Sequence, residues 1–506
     1  MRPSPTAPAS GTPTPSGSPT VREVLRSPRL LRTEGLAGLV VALALIPEAI
    51  SFSIIAGVDP RVGLFASFTM AVTIAFVGGR PAMISAATAA VAVVVAPVAK
   101  EHGLDYLIAT VILAGVFQVL LGLSGAARLM RFIPRSVMVG FVNSLAILIA
   151  LAQLPHLVDV DWLVYPLVAL GIGIIWLLPR ITKAVPAPLV AIVVLTVVTV
   201  TTAVAVPTVG DEGALPESLP SLLVPDVPLN LETLRIIAPY ALAMAVVGLL
   251  ESLMTAKLVD DVTDTRSDKT REAWGQGVAN VVTGFFGGMG GCAMIGQTMI
   301  NVKVSGARSR VSTFLAGVLL LVLVVGFGDL VAIIPMAALV AVMLMVSAAT
   351  FDWHSIRPAT LRRMPRSETT VMITTVVVVV ATHNLAIGVG AGVLTAMVLF
   401  ARRVAHMTRV ADVAAIGDDT HVYAVTGELF FATSNDLTTQ FDYVNAPTNV
   451  VIDLSDAHVW DASTVAALDA VQTKFESRGH RVSIVGLNEA SAAMHDRLSG
   501  HLGAGH

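Results

Sequence analysis

The feature that most limits what this chain can fold into is a series of apolar runs. They follow one another from about Gly35 to Ala401 with only short polar breaks. A helix needs about twenty such residues to cross a bilayer, fewer if it stops halfway. Inside lipid every backbone polar group must find its partner within the chain, so runs of this kind become helices. The segments are expected near 35–57, 60–79, 82–98, 104–124, 135–154, 161–179, 186–206, 234–258, 271–287, 292–303, 310–328, 330–350, 368–382 and 384–401, fourteen in all. Only 13% of the 506 residues are charged and mean hydropathy is +0.79, which places the chain among polytopic membrane proteins. A net charge of −3 argues against a nucleic-acid partner.

Charge placement orients the segments. Residues 1–20 are mostly Pro, Ser, Thr, Ala and Gly and are expected to be disordered, and Arg22, Arg26, Arg29 and Arg32 follow just before the first run. Residues 1–33 therefore read as a disordered and basic cytoplasmic terminus. Loops after even-numbered segments hold Arg80, Arg128, Arg131, Arg180, Lys183, Arg308, Arg357, Arg362 and Arg363; loops after odd-numbered segments are poor in Lys and Arg. The largest of the latter, around 207–233, is acidic and proline-rich. By the positive-inside rule the even loops face the cytoplasm.

Fourteen segments split into two sets of seven, residues 34–206 and 234–404. Seven is odd, so the second set enters from the opposite side, which makes an inverted repeat. Ala82-Met83-Ile84 opens segment three and Ala293-Met294-Ile295 opens segment ten, each after a glycine pair. Two segments earlier each half carries a carboxylate in apolar sequence, Glu48 and Glu251.

Gly284 to Gln297 holds six glycines in fourteen residues and no charge. Glycine permits tight turns and close approach to the main chain. A helix starting near Cys292 aims unpaired N–H groups and the positive end of its dipole into the space beside it. A second such end at Ser85, Ala86 and Ala87 faces it, with Ala293, Met294, Ile295 and Gly296 on the other side. Two positive helix ends at one gap make an anion site without a buried Lys or Arg. The alternative is that these glycines only let helices pack closely. Glu48 and Glu251 are costly in lipid when charged, which suits them to take up and release a proton; a protonated structural carboxyl is the alternative. Thr255 lies one turn after Glu251 and offers a hydroxyl on the same face.

The lone cysteine, Cys292, excludes an intrachain disulfide and reads first as a packing residue. Asp260, Asp261, Asp264, Asp268 and Glu272, with neighbouring Lys and Arg, read as a solvated connector, not a metal site. No Walker motif or Ser/His/Asp signature is present and no cofactor is expected, so an ion gradient would drive any transport, and an enzyme is the least favoured class.

Residues 411–506 are ordinary soluble sequence. Thr448–Leu454 and Arg481–Leu487 read as buried strands. Val465, Leu468, Val471 and Phe475 recur between them at helical spacing, giving a small α/β domain. Asp461 is a candidate N-cap, and Ser463 beside it a candidate phosphorylation site.

These residues resemble the sulfate permease family, also called solute carrier family 26. The resemblance rests on VALALIPEAISFSIIAGVDPRVGLFASF near 40–67, SDKTREAWGQGVANVVTGFFGG (267–288), INVKVSGARSR (300–310), and GELFFAT (427–433) with VVIDLSDAHVWDAST (450–464) in the tail. The tail resembles a STAS domain. The resemblance implies seven plus seven inverted segments, a core domain moving against a gate domain, an anion site between segments three and ten, and a homodimer in the bacterial inner membrane. A sodium-coupled bicarbonate branch has Asp where Glu251 stands and Thr at Thr255; the Glu favours a proton as coupling ion. Asp461-Ala462-Ser463-Thr464 departs from the Asp-Ser-Ser-Gly of soluble relatives, which weakens the case for phosphorylation of Ser463. The expected function is proton-coupled symport of a small carboxylate such as fumarate or succinate, with sulfate or bicarbonate as alternatives. A membrane sensor acting on a cytoplasmic protein partner through the tail is the rival of another class.

Overall fold

The computed structural model describes residues 18–125, 133–182, 186–405, 408–415 and 419–500. The expected disorder of the first seventeen residues lies outside them. The chain divides after Val393 into two compact units.

In the first unit, a short helix α1 (Val21–Arg26) is fixed by a capping box between Thr20 and Glu23. Then come α2 (Pro28–Ala56), α3 (Pro60–Val77), strand β1 (Ser85–Ala86), α4 (Ala89–His102), α5 (Leu104–Leu123), α6 (Arg135–Ala152), α7 (Val164–Ile181) and α8 (Ala187–Thr202). The second half brings α9 (Leu231–Thr263), α10 (Lys269–Phe285), strand β2 (Cys292–Ala293), α11 (Ile295–Met299) continuing into a π turn to Val304, α12 (Arg310–Gly326), α13 (Gly328–Ala332), α14 (Met336–Thr350), α15 (Pro358–Arg363), α16 (Arg366–Thr382) and the start of α17 (Leu385–Ala405), within which the chain divides. Each predicted segment is met by a helix or a broken helix. Seven of the described helices are long and apolar enough to cross a membrane, and α8, α12 and α14 are shorter apolar ones.

Two departures have local causes. The first long helix starts at Pro28, well before Gly35, because Ser27 caps it and proline suits a first turn; the basic flank is thus helical. The expected segment 330–350 is broken at Pro335, where the acidic loop comes in: Val209 N donates to Ile334 O (2.9 Å) and Met336 N to Pro207 O (2.8 Å).

The two halves repeat one packing scheme. α5 packs on α9 and α10 as α12 packs on α2 and α3. Gly115 and Gly277 let α5 and α10 touch backbone to backbone. A second group forms from α6, α7, α8, α14 and α16. The expected solvated connector is instead partly a lock. Glu272 is fully buried and accepts from Gly79 N (2.7 Å) and Arg80 N (3.0 Å), and Arg80 pairs with Asp260 (3.1 Å).

The second unit contains a four-stranded sheet in the order β3 (Arg409–Ala415), β4 (Thr420–Leu429), β5 (Asn449–Val459), β6 (Arg481–Val485). β3 and β4 are antiparallel; the other pairs are parallel. Helices α18 (Phe431–Thr439), α19 (Ala462–Glu476) and α20 (Glu489–Leu498) complete it. Val465, Leu468, Val471 and Phe475, the predicted stripe, are fully buried against Val450, Ile452 and Leu454. Asp461 caps α19 through Thr464 N (3.0 Å), and Ser463 is exposed in its first turn.

Candidate anion site at the crossing of two broken helices

Two interrupted helices meet inside the first unit. β1 and β2 pair antiparallel, Ser85 opposite Ala293 and Ala86 opposite Cys292. Met294 N donates to Ile84 O beside them (2.9 Å). Each break turns through a left-handed residue, Ala82 (φ 60°) and Gly290 (φ 75°). Gly290 adopts this freely, whereas Ala82 is strained by roughly 1 kcal/mol. Asn301 Nδ2 holds it by donating to Ala82 O (2.8 Å). The ladder's own two-fold relates Ser85 to Cys292 and Ala86 to Ala293. The two Ala-Met-Ile triplets are out of step with it, since Ala82 lies four residues before Ala86. The triplet was a coincidence that pointed to the right place.

Buried amides fasten the crossing. Asn280 accepts from Gly291 N (2.9 Å) and donates to Gly291 O (3.0 Å) and Gln118 Oε1 (2.8 Å). Ser252 accepts from Ala293 N (3.0 Å), and Thr298 from Ile84 N (3.0 Å). A peptide group taken out of water without a partner is costly, so these side chains substitute for the interrupted helical bonds. Gly291 has no room for a side chain: a Cβ there would run into Ala86 O.

A cavity of about 120 Å³ opens beside the crossing. Thr88 and Ala89 line it from the first broken helix, and Met294, Ile295, Gly296 and Gln297 from the second. Glu48 of α2 and Glu251 of α9 contribute carboxylates; α6 and α14 close it with Phe141, Leu145 and Val346 among others. Among the described residues no Lys, Arg or His lines it. Gln297 Nε2 donates to Glu48 Oε1 (2.9 Å). Cys292 Sγ donates to Glu251 Oε2 (3.0 Å) and lies 3.1 Å from Thr88 Oγ1.

Of the residues expected at an anion site, Met294, Ile295 and Gly296 line the cavity, and so do Glu48 and Glu251. Ser85, Ala86 and Ala293 are buried in the ladder instead. The Ser85 hydroxyl accepts from Gln276 Nε2 (2.7 Å) and Ala87 N donates to Ser67 Oγ (3.3 Å), so both are engaged behind the cavity. Thr255 donates to Glu251 O (2.8 Å), a backbone bond within its own helix. Thr88, Gln297 and Cys292 are nearer the chemistry than their neighbours suggested. Their signal was weak: single polar residues in apolar sequence, whose partners lie some two hundred positions away.

Broken helices crossing within an apolar bundle, with helix ends and carboxylates at one cavity, define a secondary transporter fold. The Sulfate permease family model matches residues 31–166 and 163–375, and the STAS domain model residues 412–499. The chain belongs to the sulfate permease family, the SulP/SLC26 transporters, and is a multi-pass membrane anion transporter, not an enzyme. YbaR of Bacillus subtilis, which carries a sulfate transporter's name, is 53% identical over 93% of this chain and 97% of its own. The bicarbonate transporter BicA of Synechocystis is 27% identical over 90% of this chain and 88% of its own. The transmembrane domain of a cyanobacterial BicA superposes with a TM-score of 0.64, at 26% identity, over 72% of this chain and 97% of that one. Murine Solute Carrier 26 family member A9 shares the fold with a TM-score of 0.77 over 92% of this chain and 87% of its own, at 15% identity.

Proposed function

We propose that this protein is a symporter that carries a small carboxylate, of the fumarate or succinate type, together with a proton. The observation behind this reading is the cavity's charge pattern. Two carboxylates, Glu48 and Glu251, line it with no basic side chain among the described residues, next to the uncapped amino-terminal end of α11. Exposed N–H groups there favour an anion. Protonating a carboxylate removes a negative neighbour and so favours the same event. The core helices α2–α5 and α9–α12 would move as a body against α6–α8 and α14–α17, carrying the site across in an elevator-like motion. In this reading residues 34–404 form the transport domain, residues 411–506 the cytoplasmic STAS domain, and the protein works as a homodimer in a bacterial inner membrane. Ser463 is exposed, which suits modification or a protein partner.

Sulfate and sodium-coupled bicarbonate are the second reading, favoured by the family's name and by the BicA relatives. Uptake into liposomes of labelled fumarate, sulfate and bicarbonate, each under an inward proton or an inward sodium gradient, separates the readings. We expect fumarate uptake driven by protons and insensitive to sodium. Uptake that follows sodium and ignores pH overturns the coupling; sulfate uptake without fumarate uptake overturns the substrate. Glu251→Gln is expected to weaken proton-driven accumulation, and unchanged proton dependence removes Glu251 from the mechanism.

A further inference from the structure

One polar atom at the cavity has no partner. Gln297 is 2% exposed; its Nε2 donates to Glu48 Oε1, and its Oε1 is buried without a hydrogen bond. Gln297 lines the cavity next to Gly296, where a side chain would meet only open space. A primary amide has an acceptor face and a donor face of nearly the same shape, and turning it over exchanges them. Which face points to Glu48 is decided by what Glu48 offers. A carboxylate only accepts, so it takes the NH₂ and leaves the carbonyl oxygen toward the cavity. A carboxylic acid can donate, so it takes the carbonyl oxygen and leaves the NH₂ toward the cavity.

We propose that Gln297 converts the protonation state of Glu48 into anion affinity by turning its side-chain amide over. With Glu48 ionised, the face presented to the cavity is an oxygen lone pair, which repels an anion. A proton arriving from cavity water adds to the Glu48 carboxylate, and its new O–H donates to Gln297 Oε1. The Gln297 NH₂ then faces the cavity and donates to the anion beside the N–H groups at the start of α11. When the proton leaves for water on the other side, the amide turns back and the anion loses a donor. Anion and proton thus load together and leave together, which is symport.

One other titratable group, the Glu251 carboxyl, lines the cavity. Glu251 on α9 is engaged by the Cys292 thiol, and Cys292 itself is behind the ladder. α2 brings Phe52 beside Glu48, α4 brings Thr88 and Ala89, and α6 and α14 bring Phe141, Val142, Leu145, Ile149, Val346 and Thr350, none of which titrates in the working range.

This inference rests on the proposed proton-coupled transport and is tested in the same liposomes. The readout is the KM of whichever of fumarate, sulfate and bicarbonate the wild type takes up. The wild-type KM is expected to rise about tenfold between about pH 6 and about pH 8, the worth of one hydrogen bond to a charged group. Gln297→Met keeps the length and removes both faces. Measured with Glu251→Gln also in place, so that Glu48 is the carboxylate left at the cavity, its KM is expected to stay near the high-pH value throughout, with the pH dependence gone. Simple repulsion between an ionised Glu48 and the anion would leave that dependence in Gln297→Met, and this result overturns the proposal. Glu48→Gln removes the charge and offers an amide that can donate to Gln297 Oε1 as the protonated carboxyl does. It is expected to bind at all pH values with the wild-type low-pH KM, to exchange anion across the membrane, and to lose proton-driven accumulation. A KM in Glu48→Gln that keeps the full wild-type pH dependence overturns the proposal as well. If the wild type takes up none of the three anions, the transport reading itself falls and this inference with it; retained pH dependence in Gln297→Met removes the amide turn alone.

Discussion

The two broken helices share one backbone device and differ in how they are finished. The first is sealed. Thr88 caps α4 by accepting from Val91 N (3.4 Å), Ala87 N is taken by Ser67, and Ser85 by Gln276. The second is open. Met294 precedes α11 with no side-chain cap, Gly296 is exposed, and Gln297 lines the cavity. The difference separates two jobs that an inverted repeat would otherwise duplicate. The ladder and the first helix end make the crossing; in the proposed transport reading the second helix end makes the larger part of the surface that a solute would meet. Equal contributions from both ends, as symmetry alone suggests, are not what the side chains provide.

The largest expected effect lies in the shared part. Gly291→Ala puts a methyl into Ala86 O and should force the ladder apart. Asn280 would then lose both of its bonds to Gly291. We expect about 3 kcal/mol or more of destabilisation, the upper end of what overpacking a buried site costs. Thermal unfolding of the detergent-purified protein, followed by gel filtration, measures it. A variant that melts with the wild type would mean that the strands do not pack as tightly as described.

The next effect separates the two ends by function. Gly296→Met adds a side chain where nothing stands within 4 Å, so stability should change little while the cavity fills. A thioether side chain there narrows a cavity of about 120 Å³, and uptake should fall about a hundredfold, the order of loss that misplacing a bound solute by about an ångström brings. Ala90→Met at the sealed end is fully buried and not among the residues that line the cavity, so it should instead lower the melting temperature, because the added volume meets packed neighbours. If the two variants behave alike in both assays, the contrast between the ends is wrong.

How much of this was legible beforehand follows from the range over which each feature is encoded. The helices were readable because apolar runs and loop charges are local. So was the region of the breaks, since six glycines within Gly284–Gln297 have no place in an ordinary helix. Those glycines serve both of the purposes considered: Gly291 closes against Ala86, and Gly296 leaves space. The register was not readable, because it is set by pairing across about two hundred residues and not by the shared Ala-Met-Ile letters. The roles of Ser85 and Thr255 were misjudged for the same reason. A hydroxyl near a break looks available until Gln276 or the Glu251 carbonyl is seen to hold it. Glu272 looked like one acid in a charged connector, yet it is buried over the amides of Gly79 and Arg80. In the soluble unit the stripe from Val465 to Phe475 was readable because its period is intrinsic to the helix; strands β3 and β4, which pair with each other, carried no comparable pattern.

The smallest expected effect tests the seal itself. Thr88→Val keeps the shape of the side chain and removes its oxygen. α4 loses its cap, worth about 1 kcal/mol, and Cys292 keeps only its bond to Glu251. Because Thr88 lines the cavity, it also tests whether the first helix end touches the solute. The sealed-end description expects a slightly lower melting temperature and a KM within about twofold of wild type, since a cap turned inward to Val91 N offers the anion little. Thr88→Ser, which restores the oxygen, should recover the melting temperature. A KM raised tenfold in Thr88→Val and restored in Thr88→Ser would instead make the hydroxyl a ligand, and the two helix ends would then share the solute after all.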